Sequence, residues 1–168
     1  PGSAVHADSQ ANLVPTGAGL LGRVIDGLGR PIDGRGPLQN VDGTSLHSPP
    51  LEPMERACID TPMPTGIRSV DGLLTIGQGQ RIGIFSSAGV GKSTLLASMA
   101  RGAASDVSVI ALIGERGREA VEFVERLLGS DGLAKSVVVV STSDEPPLRR
   151  VRATQLAMTI AEGYRSEG

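Results

Sequence analysis

The fold of this chain is decided by one stretch, Arg81-Ile82-Gly83-Ile84-Phe85-Ser86-Ser87-Ala88-Gly89-Val90-Gly91-Lys92-Ser93-Thr94. Its apolar beginning predicts a buried strand over 81–85, and the residues from Leu95 to Ala100 predict a helix over about 92–103. Small residues that end in Gly-Lys-Ser between a strand and a helix are typical of a phosphate-binding loop. We therefore predict a nucleoside triphosphate site formed by Ala88, Gly89, Val90, Gly91, Lys92, Ser93 and Thr94.

The loop departs from the strict pattern G-x-x-x-x-G-K-[ST] at one position. Ser86 stands where the first glycine belongs, and that glycine usually serves the tight turn out of the strand. An ordinary Gly/Ser turn that starts a helix is the alternative. The intact Gly89-Val90-Gly91-Lys92-Ser93 favours the phosphate-binding loop, in which backbone N–H groups surround the phosphates, Lys92 neutralises their charge and Ser93 holds Mg²⁺.

Strands and helices alternate after this loop. Apolar runs predict strands over 108–113 and 137–140, the second with four consecutive valines that suit a sheet covered on both faces. Helical spacing predicts helices over about 117–129 and 148–163, the second carrying a stripe of Leu148, Val151, Gln155 and Met158 with Leu156 and Ile160 beside it. The order βαβαβα predicts an α/β fold with a parallel sheet and right-handed crossovers.

The residues before the loop have a different texture. Residues 1–14 are small and polar, and we expect them to be loose. A short strand is predicted over 20–26, and many prolines make 36–66 an extended connector rather than a helix. We therefore divide the chain into segments 1–14, 15–66 and 67–168, the last being the α/β unit.

A second group of reactive side chains follows strand 108–113, in Gly114-Glu115-Arg116-Gly117-Arg118-Glu119. Ligands of open parallel sheets bind beyond the carboxyl ends of the strands, so this turn and the loop should face one crevice. Glu115 there can polarise a water for attack on the γ-phosphate, and Arg116 can share the charge of the transferred phosphoryl group. For Arg118 and Glu119, solvated charges at a helix N-terminus are an equally good interpretation.

A third strand end carries Ser141-Thr142-Ser143-Asp144-Glu145-Pro146-Pro147. These residues can line the crevice or contact another subunit. A Ser/Asp-rich turn that starts a helix explains them at least as well.

Composition argues against several other classes of function. The net charge is −2 and aromatic residues make up 2% of 168 residues, whereas nucleic-acid binders carry a basic face or stacking aromatics. Cys58 has no partner for an internal disulfide, and His6 and His47 lack cysteines at ligand spacing, which argues against a zinc site. No apolar run approaches the roughly 20 residues of a membrane helix, and the N-terminus has no secretory signal pattern.

Four motifs in order resemble the catalytic subunits of rotary ATPases, and among them the type III secretion ATPases of flagella and injectisomes. They are LLGRVIDGLGRPIDG at 20–34, TGIRSVDGLLTIGQGQR at 65–81, GERGRE at 114–119 and TSDEPP at 142–147. The resemblance covers about residues 13–168. It implies a P-loop ATPase core with a RecA-like parallel sheet, which is incomplete here and is preceded by an extended connector from an N-terminal β-barrel.

The resemblance also implies the site and the function. Lys92 would bind the β- and γ-phosphates of ATP, Ser93 the Mg²⁺ and Glu115 the attacking water, while Arg116 would support the γ-phosphate region or a subunit contact. The protein would be a homohexameric ATPase at the cytoplasmic face of the bacterial inner membrane, peripheral to it. Its partners would be stalk, stator and regulator proteins and the chaperone–effector complexes that it dissociates and unfolds, with no nucleic acid.

The start of the loop is informative within this family. Flagellar members typically begin Ala-Gly-Ser-Gly where this chain has Ser86-Ser87-Ala88-Gly89, a variation more similar to the injectisome members. We therefore favour the injectisome type.

Other parts of the family's site are expected beyond residue 168: a strand ending in the Mg²⁺-site Asp, an arginine finger and an adenine-stacking aromatic. We accordingly expect this stretch alone not to turn over ATP. Two alternatives remain, a ring subunit that holds nucleotide without hydrolysis and a ring ATPase that acts on RNA. A carboxylate at Glu115 favours the catalytic subunit over the first, and the composition argues against the second.

Overall fold

The computed structural model describes residues 12–46, 52–87 and 89–167. These residues contain five strands and five α-helices. The strands are β1 (Leu13–Thr16), β2 (Val24–Asp26), β3 (Asp42–Ser45), β4 (Ser108–Ile113) and β5 (Ser136–Ser141). The helices are α1 (Arg68–Leu73), α2 (Lys92–Gly102), α3 (Gly117–Glu122), α4 (Gly129–Ala134) and α5 (Pro147–Glu167). A π-helical segment, Phe123–Leu128, joins α3 to α4, and 3₁₀ turns lie at Ala18–Leu20 and Pro53–Glu55.

A parallel sheet in the order β2-β5-β4 lies at the centre. Val138 of β5 pairs with Val24 on one side and with Ile110 on the other, and every residue of β5 is buried. The expected parallel α/β sheet is confirmed, and so is the interpretation of the four valines as a strand covered on both faces. The predicted strand 108–113 coincides with β4.

Successive valines of β5 serve two separate cores. Val138 and Val140 pack on one face with Ala97 of α2, Phe123 and Leu133. Val137 and Val139 pack on the opposite face with α5 and with the side chains of β1. The sheet is thus a middle layer, as alternation along a strand requires, and its helices leave the carboxyl ends of the strands open.

Helix α5 buries a different face from the predicted stripe. Leu148, Val151 and Met158 are 83%, 57% and 57% exposed, and the buried face consists of Ala153, Leu156, Ala157, Thr159 and Ile160. Both faces have helical spacing, so periodicity alone could not choose between them. The small residues Gly27 and Ala153 select the buried face of α5, because a Cβ added to Gly27 would lie only 3.0 Å from the Cβ of Ala153. The helix therefore approaches the chain closely where the alanines lie.

The strand predicted over 81–85 is wrong. These residues form no regular secondary structure, and Ile82 and Phe85 are 45% and 95% exposed. A strand needs a hydrogen-bonding partner, and none of the described strands pairs with this segment. The outer edge of β4 is likewise unpaired within the described sheet. The apolar alternation of 81–85 is real, but alternation does not supply a partner.

The N-terminal part joins the sheet through β2, which lies within the predicted strand 20–26. β1 pairs with β3 in antiparallel fashion, and Val14 is buried. Up to residue 11 the predicted loose segment 1–14 lies outside the described residues, and the prediction is wrong for Leu13 and Val14, which belong to β1. Within the predicted connector 36–66, the described residues contain β3 and a 3₁₀ turn but no α-helix. The three-segment division stays a prediction.

A partly buried ion pair fixes the turn after β2. The Arg23 guanidinium donates from Nε to Asp33 Oδ2 at 2.7 Å and from Nη2 to Asp33 Oδ1 at 3.0 Å. The two side chains are only 12% and 7% exposed. Hydrogen bonds from Arg23, with others from the backbone N–H groups of Arg35 and Val24, hold the pKa of the Asp33 carboxyl well below its ordinary value of 3.8.

We expect Asp33→Asn to lower the free energy of unfolding by about 2 kcal/mol near neutral pH, because it leaves a partly buried guanidinium without its counter-charge. Since the folded pKa of Asp33 is depressed, its contribution is complete above pH 4 to 5 and is lost as the pH falls toward the folded pKa. Urea unfolding from pH 7 to pH 2.5 should show the wild-type advantage shrinking below about pH 4. Asp106→Asn, at an exposed position, should change little; a constant Asp33→Asn difference across the range would contradict this.

Candidate active site

A cleft of about 420 Å³ lies between the start of α2 and the turn after β4. One wall carries Lys92 and Ser93, and the other carries Glu115 and Glu119. The remaining lining is mostly apolar and comes from Ile82, Ile84, Leu96, Met99, Leu112, Ala120 and Phe123. The sequence predicted that the loop and the Gly-Glu-Arg turn face one crevice, and Lys92 and Ser93 at the end of the loop do line the same cleft as Glu115.

The loop has the backbone shape that its glycines permit. Gly89 and Gly91 have φ of +80° and +96°, in the left-handed region where residues other than glycine are strained. A Cβ at either position would meet nothing within 4 Å, so their requirement is conformational rather than steric. Ser86 has no positive φ, since Asn40 is the one non-glycine residue with positive φ among those described. The serine at the first glycine position is therefore compatible with this backbone.

Helix α2 begins directly at the loop, with Gly91 as its N-cap. The free N–H groups of a helix's first turn and the positive end of its dipole attract phosphate. Lys92 and Ser93 are both exposed on this first turn and line the cleft. Val90 and Thr94 are exposed but do not line it, and Ala88 lies outside the described residues. The predicted binding stretch is therefore only partly placed on the cleft.

The Glu115 turn is held by the third strand end. Gly114 N donates to Ser141 O at 2.7 Å, and Ser143 N donates to Glu115 O at 3.0 Å. Glu115 is thereby fixed at the backbone while its half-buried side chain faces the cleft. The residues after Ser141 form a turn that leads into α5, as the helix-start interpretation expects, and none of them lines this cleft.

The two charged residues near Glu115, Arg116 and Glu119, differ in whether they line the cleft. The Arg116 side chain is 83% exposed, lies 3.6 Å from the Glu119 carboxylate and is not among the cleft residues. Glu119 lines the cleft one turn before Phe123, so both lie on the same face of the helix. The structure therefore brings Glu119 into the site and leaves Arg116 at its rim. From the sequence, a solvated charge at a helix N-terminus was an equally good interpretation of Glu119. Its helical spacing from the apolar residues that line the cleft was the signal that could have placed it in the site.

The distribution of charge suits an anion that is bound by the wall with Lys92 and is attacked from the wall with the carboxylates. Lys92 supplies positive charge beside the helix N-terminus, and two carboxylates stand on the opposite wall. The apolar lining strengthens such interactions, because charges act over a lower local dielectric there than in water. Mg²⁺ prefers hard oxygen ligands, which Ser93, Glu115 and Glu119 can offer. The described residues contain no group of three or more His, Cys, Asp or Glu that could hold a metal.

A second cleft, of about 610 Å³, lies on the other side of α3. Ile32, Val121, Val124 and Leu133 give it a largely apolar lining, with Arg35 and Glu125 among its polar residues. It contains no part of the phosphate-binding loop. No helix in the described ranges is both long and apolar enough to cross a membrane.

Comparison with known proteins places these features in a family. The model of the ATP synthase alpha/beta family, nucleotide-binding domain, matches residues 66–168. The type 3 secretion system ATPase of Xanthomonas euvesicatoria is 54% identical over 92% of this chain and 35% of its own length. The flagellum-specific ATP synthase of Bacillus subtilis is 49% identical over 100% of this chain and 38% of its own length.

A solved structure agrees with the sequence comparison. It is the assembled ATPase EscN with its central stalk EscO, from the type III secretion system of enteropathogenic E. coli, and it superimposes with a TM-score of 0.86 at 49% identity. The match covers 93% of this chain and 38% of the EscN chain. The chain thus spans little more than a third of the length of the relatives that it matches.

Proposed function

The chain belongs to the ATP synthase alpha/beta family, and from this premise we propose that it is the nucleotide-binding part of an ATPase that energises type III protein secretion. The observation that carries the proposal is the cleft on which Lys92, Ser93 and Glu115 lie together. Fold alone would not decide function, because related cores serve many activities. The combination of a phosphate-binding loop with a carboxylate on the facing wall supports hydrolysis.

Each residue has a distinct part in this proposal. Lys92 and the N–H groups at the start of α2 bind the β- and γ-phosphates of ATP. Ser93 ligates Mg²⁺, which when bound draws charge from the phosphate oxygens. Glu115 accepts a hydrogen bond from the attacking water and orients it toward the γ-phosphorus. Arg116, at the rim, supports the γ-phosphate region or a neighbouring subunit.

The injectisome type is our finer proposal. Secretion and flagellar relatives match this chain at similar identity, 54% and 49%, so the choice rests on Ser86-Ser87-Ala88-Gly89. We propose that the protein dissociates and unfolds chaperone–effector complexes and works as a homohexameric ring, with a stalk like that of assembled EscN and with stator and regulator proteins. It would act at the cytoplasmic face of the inner membrane, without nucleic acid.

A binding experiment tests the proposal on the 168-residue chain itself. We expect saturable one-to-one binding of ATP and ADP with Mg²⁺ in calorimetric titration, weakened when EDTA removes the metal. We expect no appreciable turnover, because the resemblance places further catalytic groups outside these 168 residues.

Absence of nucleotide binding would contradict the proposal. Turnover by the 168 residues at the rate of a complete secretion ATPase would contradict the expected need for further groups. In the full-length protein, hydrolysis that RNA stimulates would favour an RNA-acting ring ATPase instead.

A further inference from the structure

The turn that precedes α1 is organised by a single carboxylate. Asp71 Oδ1 accepts hydrogen bonds from Thr65 N at 2.8 Å and from Thr65 Oγ1 at 2.7 Å, and Asp71 Oδ2 accepts one from Gly66 N at 3.0 Å. Thr65 is 3% exposed. Because these donors favour the ionised carboxylate, the pKa of Asp71 is lowered. One side chain thus sets the conformation of Thr65 and Gly66.

This turn is pressed against the far end of the helix that starts at the active site. A Cβ on Gly66 would lie 2.9 Å from Gly102 O, and one on Gly102 would lie 2.8 Å from Thr65 O. Ala104 N donates to Pro64 O at 3.0 Å just beyond the end of α2. Gly66 also has φ of +77°, so glycine is required there by conformation as well as by space. The turn and the end of α2 therefore fix one another.

The same segment leads into the phosphate-binding loop from its other side. Met63 N donates to Ile76 O at 2.7 Å, and Gln78 N donates to Thr61 O at 2.8 Å, so residues 61–63 and 76–78 are tied together. The chain then continues through 81–87 to the loop. The loop and α2 are thus held at both ends by one hydrogen-bonded segment, which we call the 61–80 segment. Its residues 64–66 contact the end of α2, and its residues 76–80 lead toward the loop.

We propose that Asp71 is a positioning residue for the nucleotide site, holding Lys92 and Ser93 in place through the 61–80 segment and helix α2. The proposal rests on the proposed function. An α-helix is stiff along its axis, so movement at Gly102 is transmitted over the 11 residues of α2 to Lys92. Misplacement of a reacting group by about 1 Å can cost up to roughly 100-fold in activity. Neither Asp71 nor Thr65 lines the cleft.

Asp71→Ala tests this in the 168-residue chain, with the affinity for a fluorescent ADP analogue and Mg²⁺ as the first readout. We expect a loss of affinity of roughly tenfold, and Thr65→Val should reproduce part of it. Thr65→Ser, which keeps the hydroxyl, should bind almost as wild type does. Asp71→Asn, which keeps one acceptor oxygen, is the milder variant should Asp71→Ala not fold.

Two controls separate positioning from general stability. Asp60→Ala removes an exposed acid whose Oδ1 accepts a hydrogen bond from Thr61 Oγ1, and it should leave affinity unchanged. Ile160→Val lowers stability from the core under α5, on the face of the sheet opposite to α2, and should also leave affinity unchanged. Equal loss of affinity in Ile160→Val and Asp71→Asn would assign Asp71 a stabilising role only and overturn the proposal.

Hydrogen exchange at residues 95–98, where the backbone N–H groups begin to bond within α2, is the second readout; it is measured without nucleotide and is independent of the proposed function. Asp71→Asn should accelerate exchange there, whereas Asp60→Ala should not. If the wild-type chain binds no nucleotide, the proposed function fails, and the exchange result still decides the role of Asp71. Unchanged exchange at 95–98 in Asp71→Asn would overturn the positioning role.

Discussion

Replacing Glu115 by Gln in the full-length protein should lower ATP turnover by roughly 100- to 1,000-fold while nucleotide affinity stays within about twofold of wild type. Gln keeps the size of the side chain and can still contact a water, but it cannot take up a proton or concentrate negative charge on the attacking oxygen. Affinity should persist because the phosphates are held from the opposite wall, by Lys92 and the start of α2.

Phosphate release and equilibrium binding, measured on the same preparations, check this result. Glu122→Gln is the matched control, since Glu122 is exposed on α3 and does not line the cleft; it should retain wild-type turnover. If wild type and Glu115→Gln hydrolyse ATP equally slowly, the protein is a nucleotide-holding ring subunit rather than a catalytic one.

Replacing Lys92 by Ala should weaken nucleotide binding by about 100-fold or more. A charge-assisted hydrogen bond contributes about 1.5–3 kcal/mol, and two of them to the β- and γ-phosphates would contribute at least about 3 kcal/mol. Each 1.4 kcal/mol corresponds to about tenfold in affinity. Turnover at ordinary ATP concentrations should fall accordingly, since little nucleotide would be bound.

The fold should not suffer from this change. Lys92 is exposed, alanine has the highest helix propensity, and a positive charge at a helix N-terminus opposes the helix dipole. We therefore expect Lys92→Ala to unfold at the same urea concentration as wild type or slightly higher. Ile160→Val is the opposite control: it removes a methyl group from the buried core under α5, so stability should fall and affinity should not. A Lys92→Ala protein that binds ATP as wild type does would exclude the loop as the phosphate site.

The sequence alone predicted the elements whose residue pattern is compatible with only one structure. Four consecutive valines have no polar side and required burial on both faces, which β5 provides. The glycines at 89 and 91 required left-handed backbone beside a helix start, and the structure has it. Glu115 was found because it directly follows a strand that ends at the crevice.

Where a residue pattern is compatible with two structures, tertiary contacts determine which of them forms. Helix α5 has two apolar faces, and the close approach of Gly27 to Ala153 selected the one that the stripe did not predict. Segment 81–85 alternates like a strand, yet strand formation depends on a partner that no local pattern describes. The helix expected over 117–129 consists of α3 and the π-helical segment, and the backbone of Gly129, with φ of +68°, interrupts it at the start of α4. The π-helical segment has no signature in residue spacing.

Hydrogen exchange of the 168-residue chain with and without saturating Mg²⁺-ADP tests most directly whether the loop and the Glu115 turn form one nucleotide site. Both stretches line the first cleft, so nucleotide should slow exchange at 89–96 and at 114–119 in the same titration. Residues around the second cleft, such as Ile32, Arg35 and Glu125, should exchange as before. Protection confined to the second cleft, or protection of the loop with none at 114–119, would contradict a site shared by Lys92 and Glu115.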